Sequence, residues 1–346
     1  MSRVYVGMSG GVDSSLTAAL LVEQGHEVTG VYMKNWTQDL PGMQCPWADD
    51  LADAKRVAVQ LGIDFKVFDF EKEYRQKVVD YMIDEYRAGR TPNPDIMCNQ
   101  EVKFKLFLDT ALKDGAEFIA TGHYAKTSDG KLLQAADTQK DQTYFLYRVT
   151  EEALRKTLFP IGELEKSRVR EMAEERGLYT AKKKDSQGIC FVGQVGIREF
   201  LGQYVERTSG NIVDEQTGEV LGRHDGAIFY TIGQRHGLDI GGGLPYYVVG
   251  KDMGTQEVFV TKNLNNEALW RREIKVADVH WIGEPLSGGS RCQVRLRHRG
   301  ILIGAEVQEE GDGLLVMLDD PERAISPGQS VVFYDSEECK GGAIVL

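Results

Sequence analysis

A Gly- and Ser-rich turn between a predicted strand and a predicted helix constrains this chain more than any other feature. Residues 9–15 read Ser-Gly-Gly-Val-Asp-Ser-Ser. The apolar run at residues 4–8 predicts a buried strand, and the helical spacing of residues 16–24, ended by Gly25, predicts a helix. Backbone N–H groups and a helix dipole at such a turn attract phosphate. The alternative is a tight turn without a ligand.

The turn lacks the lysine of a Walker A motif. It resembles instead the pyrophosphate-binding loop of ATP pyrophosphatases, which cleave ATP between its α and β phosphates and adenylate a substrate. The resemblance implies that ATP binds at this turn.

The 346 residues are enough for two or three domains. No apolar run approaches the roughly 18 residues that a membrane span needs, and the first residues lead directly into a strand. We therefore expect no membrane partner and a cytoplasmic location, or an equivalent reducing compartment. An organelle-imported protein without its presequence is the alternative.

The cysteines are odd in number, widely spaced and free of any C-x-x-C pair. They are Cys45, Cys98, Cys190, Cys292 and Cys339. This pattern argues against a disulfide framework and against a metal knuckle of adjacent thiolates. We predict no metal-ligating residues, with a site assembled from distant cysteines left open.

Strand and helix patterns alternate in the first third of the chain. Residues 28–33, 65–70 and 118–121 are predicted strands, and residues 49–61, 71–86 and 102–112 are predicted helices. The alternation predicts an α/β fold with a doubly wound parallel sheet, in which ligands bind beyond the carboxyl ends of the strands. Gly10 and Gly122 fall at such ends, and so does Met33, which could line an adenine pocket.

The pattern changes along the rest of the chain. It stays helical over residues 143–177 and becomes short strands beyond residue 199, at residues 212–213, 227–230, 246–249 and 257–260. Residues 275–346 are all-β in pattern, which favours a small β-barrel. We predict a catalytic domain over residues 1–198, a β-rich central domain over residues 199–268 and a C-terminal β-barrel over residues 269–346.

The net charge of −12 is unusual for a protein that binds nucleic acid, but phosphate contacts need only a local basic face. Residues 182–184 form a lysine run. A second basic group recurs at odd positions of a predicted strand: Arg291, Arg295, Arg297 and Arg299. Period-two alternation predicts that these arginines share one face of the strand. That face either binds RNA or is simply solvated.

The sequence around two of the cysteines is typical of reactive thiols. Asn93 followed by Pro94 indicates a helix start, which puts Asp95 and Cys98 side by side on the first turn and favours a thiolate. The alternative is a loop with an inert cysteine. Cys190 lies in a predicted loop flanked by lysines and glycine, which suits a thiol loaded by another protein. Persulfide exchange requires two such thiols to meet in space.

Several blocks of the sequence together resemble the family of tRNA-specific 2-thiouridylases, in family order and over essentially the whole chain. The blocks are residues 7–15, 93–99, 121–124, 140–146, 185–191 and 230–238, with weaker matches at residues 295–298 and 326–329.

This resemblance implies an enzyme that uses ATP and Mg²⁺ to adenylate O2 of the wobble uridine of tRNA. Sulfur from a cysteine persulfide then replaces that oxygen, and AMP and pyrophosphate are released. Cys190 corresponds to the persulfide carrier, Cys98 to the nucleophile and Asp95 to an acid/base group. Cys98 either releases hydrosulfide by forming a disulfide or assists transfer directly. A persulfide donor protein, such as a cysteine desulfurase or relay protein, is the implied partner.

The resemblance also implies binding residues. Those for the nucleotide are Gly7, Met8, Ser9, Gly10, Gly11, Val12, Asp13, Ser14, Met33 and Gly122. Those for tRNA are Asn93, Pro94, Asp95, His123, Lys140, Asp141, Gln142, Arg297, His298 and Gln329.

Two other functions stay open. One is an amidating ligase similar to GMP synthetase or argininosuccinate synthetase, which shares the loop but does not need two reactive cysteines. The other is a tRNA-binding module that has lost catalysis, although every chemically demanding residue is present.

Overall fold

The computed structural model describes residues 1–39, 45–185, 196–241 and 243–346. Three sheets organise these residues: a five-stranded sheet, a four-stranded sheet and an eight-stranded sheet in which six strands close into a barrel. None of the helices within these ranges combines the length and the apolar character that a membrane crossing requires.

The N-terminal part alternates strands and helices. In chain order these are β1 (Arg3–Gly7), α1 (Val12–Glu23), β2 (Glu27–Lys34), α2 (Trp47–Leu61), β3 (Asp64–Asp69), α3 (Glu71–Tyr74), α4 (Asp80–Arg87), α5 (Pro94–Met97), α6 (Phe107–Lys113), β4 (Phe118–Thr121), β5 (Lys126–Ser128), β6 (Lys131–Leu133), α7 (Thr143–Leu146), α8 (Glu151–Arg155), β7 (Thr157–Leu158) and α9 (Lys166–Glu175). Two π-helical stretches, Arg75–Val79 and Cys98–Leu106, join α3 to α4 and α5 to α6.

The five-stranded sheet is parallel and has the order β3-β2-β1-β4-β7. The chain runs outward from β1 through β2 and β3, and then returns to build β4 and β7 on the other side. The strand order therefore reverses between β1 and β4, and ligands of such sheets bind in the crevice at that point. The predicted doubly wound α/β sheet is confirmed.

Alternate residues of β1 face two different cores, as the period-two geometry of a strand requires. Val4 and Val6 pack in a cluster with residues of α1, α2 and α9. Tyr5 packs in a second cluster with residues of the helices between residues 71 and 113. Helices thus cover both faces of the sheet, and they leave its carboxyl edge as the place where the connecting loops meet.

The predicted helices at residues 71–86 and 102–112 are confirmed, with the π-helical stretches inside them. The prediction of continuous helix over residues 143–177 is wrong in part, because β7 lies within it and pairs with β4. The hairpin of β5 and β6 was not predicted. The strands β5 and β6 are each three residues long and β7 is two residues long, so their patterns are too short to show periodicity.

The central part consists of α10 (Ile197–Leu201), β8 (Gly210–Asp214), β9 (Val220–His224), β10 (Tyr247–Asp252) and β11 (Glu257–Thr261). Its strands form a sheet of order β10-β11-β8-β9. The predicted strand at residues 227–230 is wrong, because Ala227–Phe229 forms a 3₁₀-helix. A short buried apolar run fits either structure.

The C-terminal part contains β12 (Trp270–Trp281), β13 (Ser290–Arg295), β14 (Ile303–Glu310), β15 (Gly313–Arg323), β16 (Ser330–Asp335) and β17 (Glu338–Val345), after a 3₁₀-helix at Glu267–Leu269. Pairing of β12 with both β15 and β17 closes these strands into the predicted barrel. The hairpin of β5 and β6 adds to β17 and so attaches the N-terminal part to the barrel.

The predicted basic face at residues 291–299 is wrong. The strand β13 ends at Arg295, and Arg295 is only 6% exposed. Arg297 and Arg299 follow in the turn beyond the strand, where Arg299 has a φ of 60°. Strand alternation therefore does not align the four side chains. Arg295 instead points into the contact between the barrel and the N-terminal part, where Asp141 neutralises it.

Candidate active site

The phosphate loop, residues 8–11, joins β1 to α1 at the carboxyl edge of the parallel sheet. Met8 N donates a hydrogen bond to Val31 O of β2 at 2.8 Å. Gly10 has a φ of 75°, and a Cβ at this position would collide with Asp50 O of α2. Glycine is therefore required for both the backbone conformation and the space.

Gly122, directly after β4, brings a second stretch of backbone against the start of α1. A Cβ at Gly122 would lie 2.7 Å from Ser14 N. Gly7 is similarly close to Met33, whose Cε would lie 3.0 Å from a Cβ at Gly7. These predicted nucleotide contacts therefore meet around the ends of β1, β2 and β4.

The N-terminus of α1 fits an anion. Gly11 is its N-cap residue, and no side chain of the described residues caps the helix there. Ser9 N donates to Ser14 Oγ at 3.2 Å, and Ser14 Oγ donates to Gly11 O at 3.1 Å, so these contacts shape the loop. The uncapped N–H groups and the positive end of the helix dipole suit phosphate oxygens.

Asp13, on the first turn of α1, is held by two side chains from distant parts of the chain. Lys166 Nζ, at the start of α9, donates to Asp13 Oδ1 at 2.6 Å and to Oδ2 at 2.8 Å. Tyr124 Oη donates to Asp13 Oδ1 at 2.8 Å. Burial, reinforced by the charge of Asp13, raises the pKa of Tyr124, so the phenol stays a donor.

Asp185 lies in the same ionic cluster. Its carboxylate is 2.9 Å from Lys140 Nζ, 2.9 Å from Lys166 Nζ and 2.6 Å from Arg170 Nη2. Burial alone would raise the pKa of Asp185, but the hydrogen bonds from Lys140 and Lys166 outweigh it and lower the pKa to about 2. Cys190, the predicted persulfide carrier, comes shortly after Asp185 and lies outside the described residues.

The helix that carries Cys98 begins where the sequence predicts. Asn93 Oδ1 accepts a hydrogen bond from Asp95 N at 3.1 Å, and Pro94 is the first helical residue. Helical structure then continues through α5, the π-helical stretch and α6, called here the Cys98 helix (residues 94–113). Cys98 opens the π-helical stretch and is 2% exposed. Such stretches are frequent at functional sites.

Asp95 and His123 share a cationic neighbour, Lys103 of the Cys98 helix. Burial raises the pKa of the Asp95 carboxyl, and the charge of Lys103 opposes this rise. Lys103 Nζ lies 3.5 Å from His123 Nε2, and His123 Nδ1 lies 2.8 Å from Thr121 Oγ1. An ammonium can only donate, so Nε2 accepts and Nδ1 carries the proton. Burial, and then the charge of Lys103, lowers the pKa of His123 well below its ordinary value.

The turn of Gly122 and His123 connects the phosphate loop to the Cys98 helix. Gly122 abuts the backbone of Ser14, and His123 contacts Lys103. The groups expected to bind phosphate and the helix expected to supply the nucleophile therefore lie at the same end of the sheet.

The predicted tRNA contacts at residues 140–142 all have partners within the protein. Lys140 contacts Asp185, and Gln142 Oε1 accepts from Tyr124 N at 2.9 Å. Asp141 is 2% exposed and accepts from Arg295 Nη1 at 3.0 Å. Asp141 therefore holds the N-terminal part against the barrel.

The remaining predicted tRNA contacts lie on the barrel, beside the N-terminal part. Arg297 Nη2 donates to Glu322 at 2.8 Å, and Gln329 Nε2 donates to Thr91 O at 3.3 Å. Both residues line a cavity of about 110 Å³ that is formed by barrel residues together with Thr231 and Ile232 of the central part. The ring of His298 lies 4.5 Å from that of Phe145.

Sequence reasoning missed several residues of this site. Lys103, Lys166 and Tyr124 are held by contacts between distant segments, which no local pattern indicates. The central lysine of the run at residues 182–184 is paired, because Lys183 Nζ lies 2.7 Å from both Asp50 and Asp53, whereas Lys182 and Lys184 are exposed.

Three family models together match nearly the whole chain. Residues 2–194 match a model described as tRNA methyl transferase HUP domain, residues 198–262 one described as tRNA methyl transferase PRC-barrel domain, and residues 271–345 one described as Aminomethyltransferase beta-barrel domain. The fold and the site thus define a three-part protein. Its first part is an α/β domain of the kind that binds ligands at the carboxyl edge of a parallel sheet, and its other two parts are β-rich.

Curated relatives place the chain more closely. The tRNA-specific 2-thiouridylase MnmA 2 of Geobacillus kaustophilus is 49% identical, over 99% of this chain and 94% of the relative. The tRNA-specific 2-thiouridylase MnmA of Bacillus subtilis is 48% identical, over 99% of this chain and 95% of the relative. The chain belongs to the MnmA family of tRNA-specific 2-thiouridylases.

Solved structures show a partial likeness. A 4-thiouridine synthetase in complex with RNA and ATP aligns with a TM-score of 0.40 and 18% identity, over 59% of this chain and 50% of that one. An NMN synthetase from Francisella tularensis aligns with a TM-score of 0.36 and 17% identity, over 54% of this chain and 66% of that one.

Proposed function

We propose that this chain is a tRNA-specific 2-thiouridylase. It uses ATP to adenylate O2 of the wobble uridine and then replaces that oxygen by sulfur. The observation that carries the proposal is the turn of Gly122 and His123, which contacts both the start of α1 and Lys103 of the Cys98 helix. A phosphate site and a cysteine-bearing helix are thereby joined at one edge of the sheet, in a chain whose relatives bear this activity in their names.

The phosphate loop binds ATP in this proposal. Loop N–H groups and the N-terminus of α1 receive the pyrophosphate part, while Met33 lines the adenine side. An amide-like oxygen is a poor leaving group, and conversion into a phosphate ester makes it a good one. Asp95 accepts or returns the proton of the base, and its raised pKa suits that task.

Mg²⁺ accompanies the nucleotide. Within the described residues, no group of three or more His, Cys, Asp or Glu side chains is arranged to hold a metal ion. In this proposal phosphate oxygens and water supply most of the magnesium ligands, as Mg²⁺ generally prefers at nucleotide sites. When bound, Mg²⁺ neutralises charge on the departing pyrophosphate.

Sulfur arrives as a persulfide on Cys190. In one route the Cys98 thiolate attacks the inner sulfur of that persulfide, forms a Cys98–Cys190 disulfide and releases hydrosulfide, which displaces AMP from C2. An external thiol then reduces the disulfide. In the other route the terminal sulfur of the persulfide attacks C2 directly and displaces AMP. The Cys98 thiolate then attacks the Cys190 sulfur, which forms the Cys98–Cys190 disulfide and releases the C2-bound sulfur from Cys190.

The proposal also covers partners and organisation. tRNA contacts Asn93, Pro94 and His123 beside the site, and Arg297, His298 and Gln329 on the barrel. A persulfide donor protein loads Cys190, and the reaction takes place in the cytoplasm. We retain the domain limits of 1–198, 199–268 and 269–346 as part of this proposal.

The test is incubation with unmodified tRNA, ATP, Mg²⁺ and a persulfide source, followed by mass spectrometry of the anticodon nucleoside. We expect 2-thiouridine, retarded migration of the tRNA in a mercury-containing gel, and release of AMP and pyrophosphate. Replacement of oxygen by sulfur and addition of a methyl group give different masses, so the same measurement tests methyl transfer. A methylated or unchanged uridine would contradict the proposal.

Cysteine variants test the mechanism. Cys98→Ser and Cys190→Ser should each abolish thiolation while tRNA binding persists. Cys292→Ser is the matched control, because Cys292 lies in β13 of the barrel and is 9% exposed. Full activity of either site variant would remove the persulfide mechanism.

A further inference from the structure

The phosphate loop has no basic residue of its own. Residues 8–14, which comprise the loop and the first residues of α1, read Met-Ser-Gly-Gly-Val-Asp-Ser, so Asp13 is their only charged residue. Asp13 stands on the first turn of α1, where the phosphates of ATP would bind. Its negative charge would repel them unless a cation stood beside it.

That cation is Lys166. We propose that Lys166 is a pyrophosphate-binding residue, a distant lysine that supplies the charge a Walker A loop carries within its own sequence. This inference rests on the proposed function, because it assumes that ATP binds at the phosphate loop.

The first argument is position. Lys166 Nζ lies within 2.8 Å of both carboxylate oxygens of Asp13, and its side chain is 12% exposed. The same ammonium lies 2.9 Å from Asp185 and 5.6 Å from the centre of the Tyr124 ring. It therefore sits beside the N-terminus of α1 within a polar cluster, and a phosphate oxygen there would replace or share its carboxylate partners.

The second argument is the position of Lys166 in its own helix. Lys166 is the first residue of α9, where the positive end of the helix dipole disfavours a cation. No acidic residue stands in the first turn to offset this. The backbone is fixed there by a hydrogen bond from Lys166 N to Asp137 Oδ2 at 3.0 Å. A largely buried cation at the N-terminus of a helix costs free energy locally. A role of Lys166 in binding phosphate at the loop would explain why a lysine stands there.

The third argument is the state of its partners. Asp185 is ionised, because Lys140 and Lys166 lower its pKa to about 2. Two further cations, Lys140 and Arg170, also contact Asp185. When phosphate draws Lys166 toward the loop, Asp185 therefore keeps two cationic partners and is not left unpaired.

The test measures binding to the whole protein without tRNA, by calorimetry, with three probes: Mg²⁺–ATP, Mg²⁺–pyrophosphate and AMP. Lys166→Met should weaken the binding of ATP and of pyrophosphate by about tenfold or more, as expected for a lost charge-assisted hydrogen bond. Binding of AMP, which lacks the pyrophosphate, should change far less. Lys166→Arg should restore most of the affinity for pyrophosphate.

Arg168→Met is the matched control. Arg168 stands on the same helix, is half-exposed and contacts Glu171 and Glu175. The Arg168→Met variant should bind all three probes as the unmodified chain does. Unchanged pyrophosphate binding by Lys166→Met, or an equal loss for all three probes, would overturn the inference. Failure of the unmodified chain to bind Mg²⁺–ATP would instead contradict the proposed function.

A second measurement covers the case in which Lys166→Met does not fold. The unmodified chain is acetylated with and without Mg²⁺–pyrophosphate, and the modified lysines are quantified by mass spectrometry. Pyrophosphate should protect Lys166 and leave the exposed Lys113 unchanged. An equal rate of Lys166 acetylation in both conditions would refute the assignment.

Discussion

Arg295 of the barrel donates from Nη1 to Asp141 Oδ1 of the N-terminal part at 3.0 Å, in a contact where both side chains are buried. Asp141 also accepts from Ala135 N at 2.9 Å and from Thr143 N at 3.1 Å. The guanidinium carbon of Arg295 lies 5.1 Å from the centre of the Tyr334 ring. This buried ion pair thus contributes to the contact between the barrel and the segment that precedes α7.

This ion pair leads to a stability prediction. Arg295→Met should lower the free energy of unfolding by about 3–5 kcal/mol, because it leaves the Asp141 carboxylate buried and uncompensated. Urea unfolding measures the change. Arg291→Met in the same strand is the control, because its contact with Asp319 is largely exposed and should contribute at most about 1 kcal/mol. Equal effects of the two variants would show that burial of the pair is unimportant.

Arg297 should behave differently from Arg295, although the sequence predicted both on one basic strand face. Arg297 is 55% exposed and pairs with Glu322, so it can turn toward a phosphate. Arg297→Met should weaken tRNA binding and reduce the slope of log affinity against log salt by about 1, while the unfolding free energy changes little. The measurement is tRNA binding over a salt series. An unchanged slope would mean that Arg297 makes no phosphate contact.

The contrast between these two arginines shows where sequence reasoning succeeds and fails. Period-two alternation correctly predicted that a strand begins near Arg291, because alternation is a local property. It could not predict that β13 ends at Arg295 or that Asp141, 154 residues earlier, receives that side chain.

The site shows the same division. The phosphate loop and the start of the Cys98 helix were predictable, because Gly10 and Asn93 act through their own backbone neighbourhood. Lys166 was not, since it lies 153 residues from Asp13 and its own segment shows only a helical pattern. Long-range ionic contacts leave no periodic trace in the sequence.

The requirement for glycine in the phosphate loop can be tested by comparison with a matched glycine outside it. Gly10 and Gly25 both have positive φ values, 75° and 82°. A Cβ at Gly10 would meet the backbone of α2, whereas a Cβ at Gly25 would have no described atom within 4 Å. Gly25→Ala should cost about 1–2 kcal/mol of stability and leave ATP binding intact. Gly10→Ala should abolish ATP binding as well, and calorimetry that found binding retained would argue against a role for the loop.

Asn93 combines a capping role with a proposed contact to the base. Asn93→Ala should cost about 1 kcal/mol of stability through loss of the N-cap. Thr150→Ala is the control, because Thr150 caps α8 in the same way, accepting from Ala153 N. Both variants should lower the unfolding free energy similarly, but only Asn93→Ala should slow thiolation at saturating ATP. Equal thiolation rates would leave Asn93 with a structural role alone.

His298 should make stability depend on pH. Burial, and then the charges of Arg299 and Arg295, lowers the pKa of His298 to about 4 in the folded chain, below the ordinary value of 6.5. The unfolded chain therefore binds a proton first as the pH falls. The stabilising contribution of neutral His298 is fully present above pH 6.5 and is lost progressively as the pH falls toward 4.

The test is urea unfolding of the unmodified chain and of His298→Phe between these pH values. His298→Phe keeps a ring beside Phe145 but cannot take up a proton, so its unfolding free energy should fall less steeply with acid. His236→Gln is the control, because it removes a histidine that is exposed. Identical slopes for His298→Phe and the unmodified chain would contradict a lowered pKa of His298. They would mean that its ring becomes exposed to water before it is protonated.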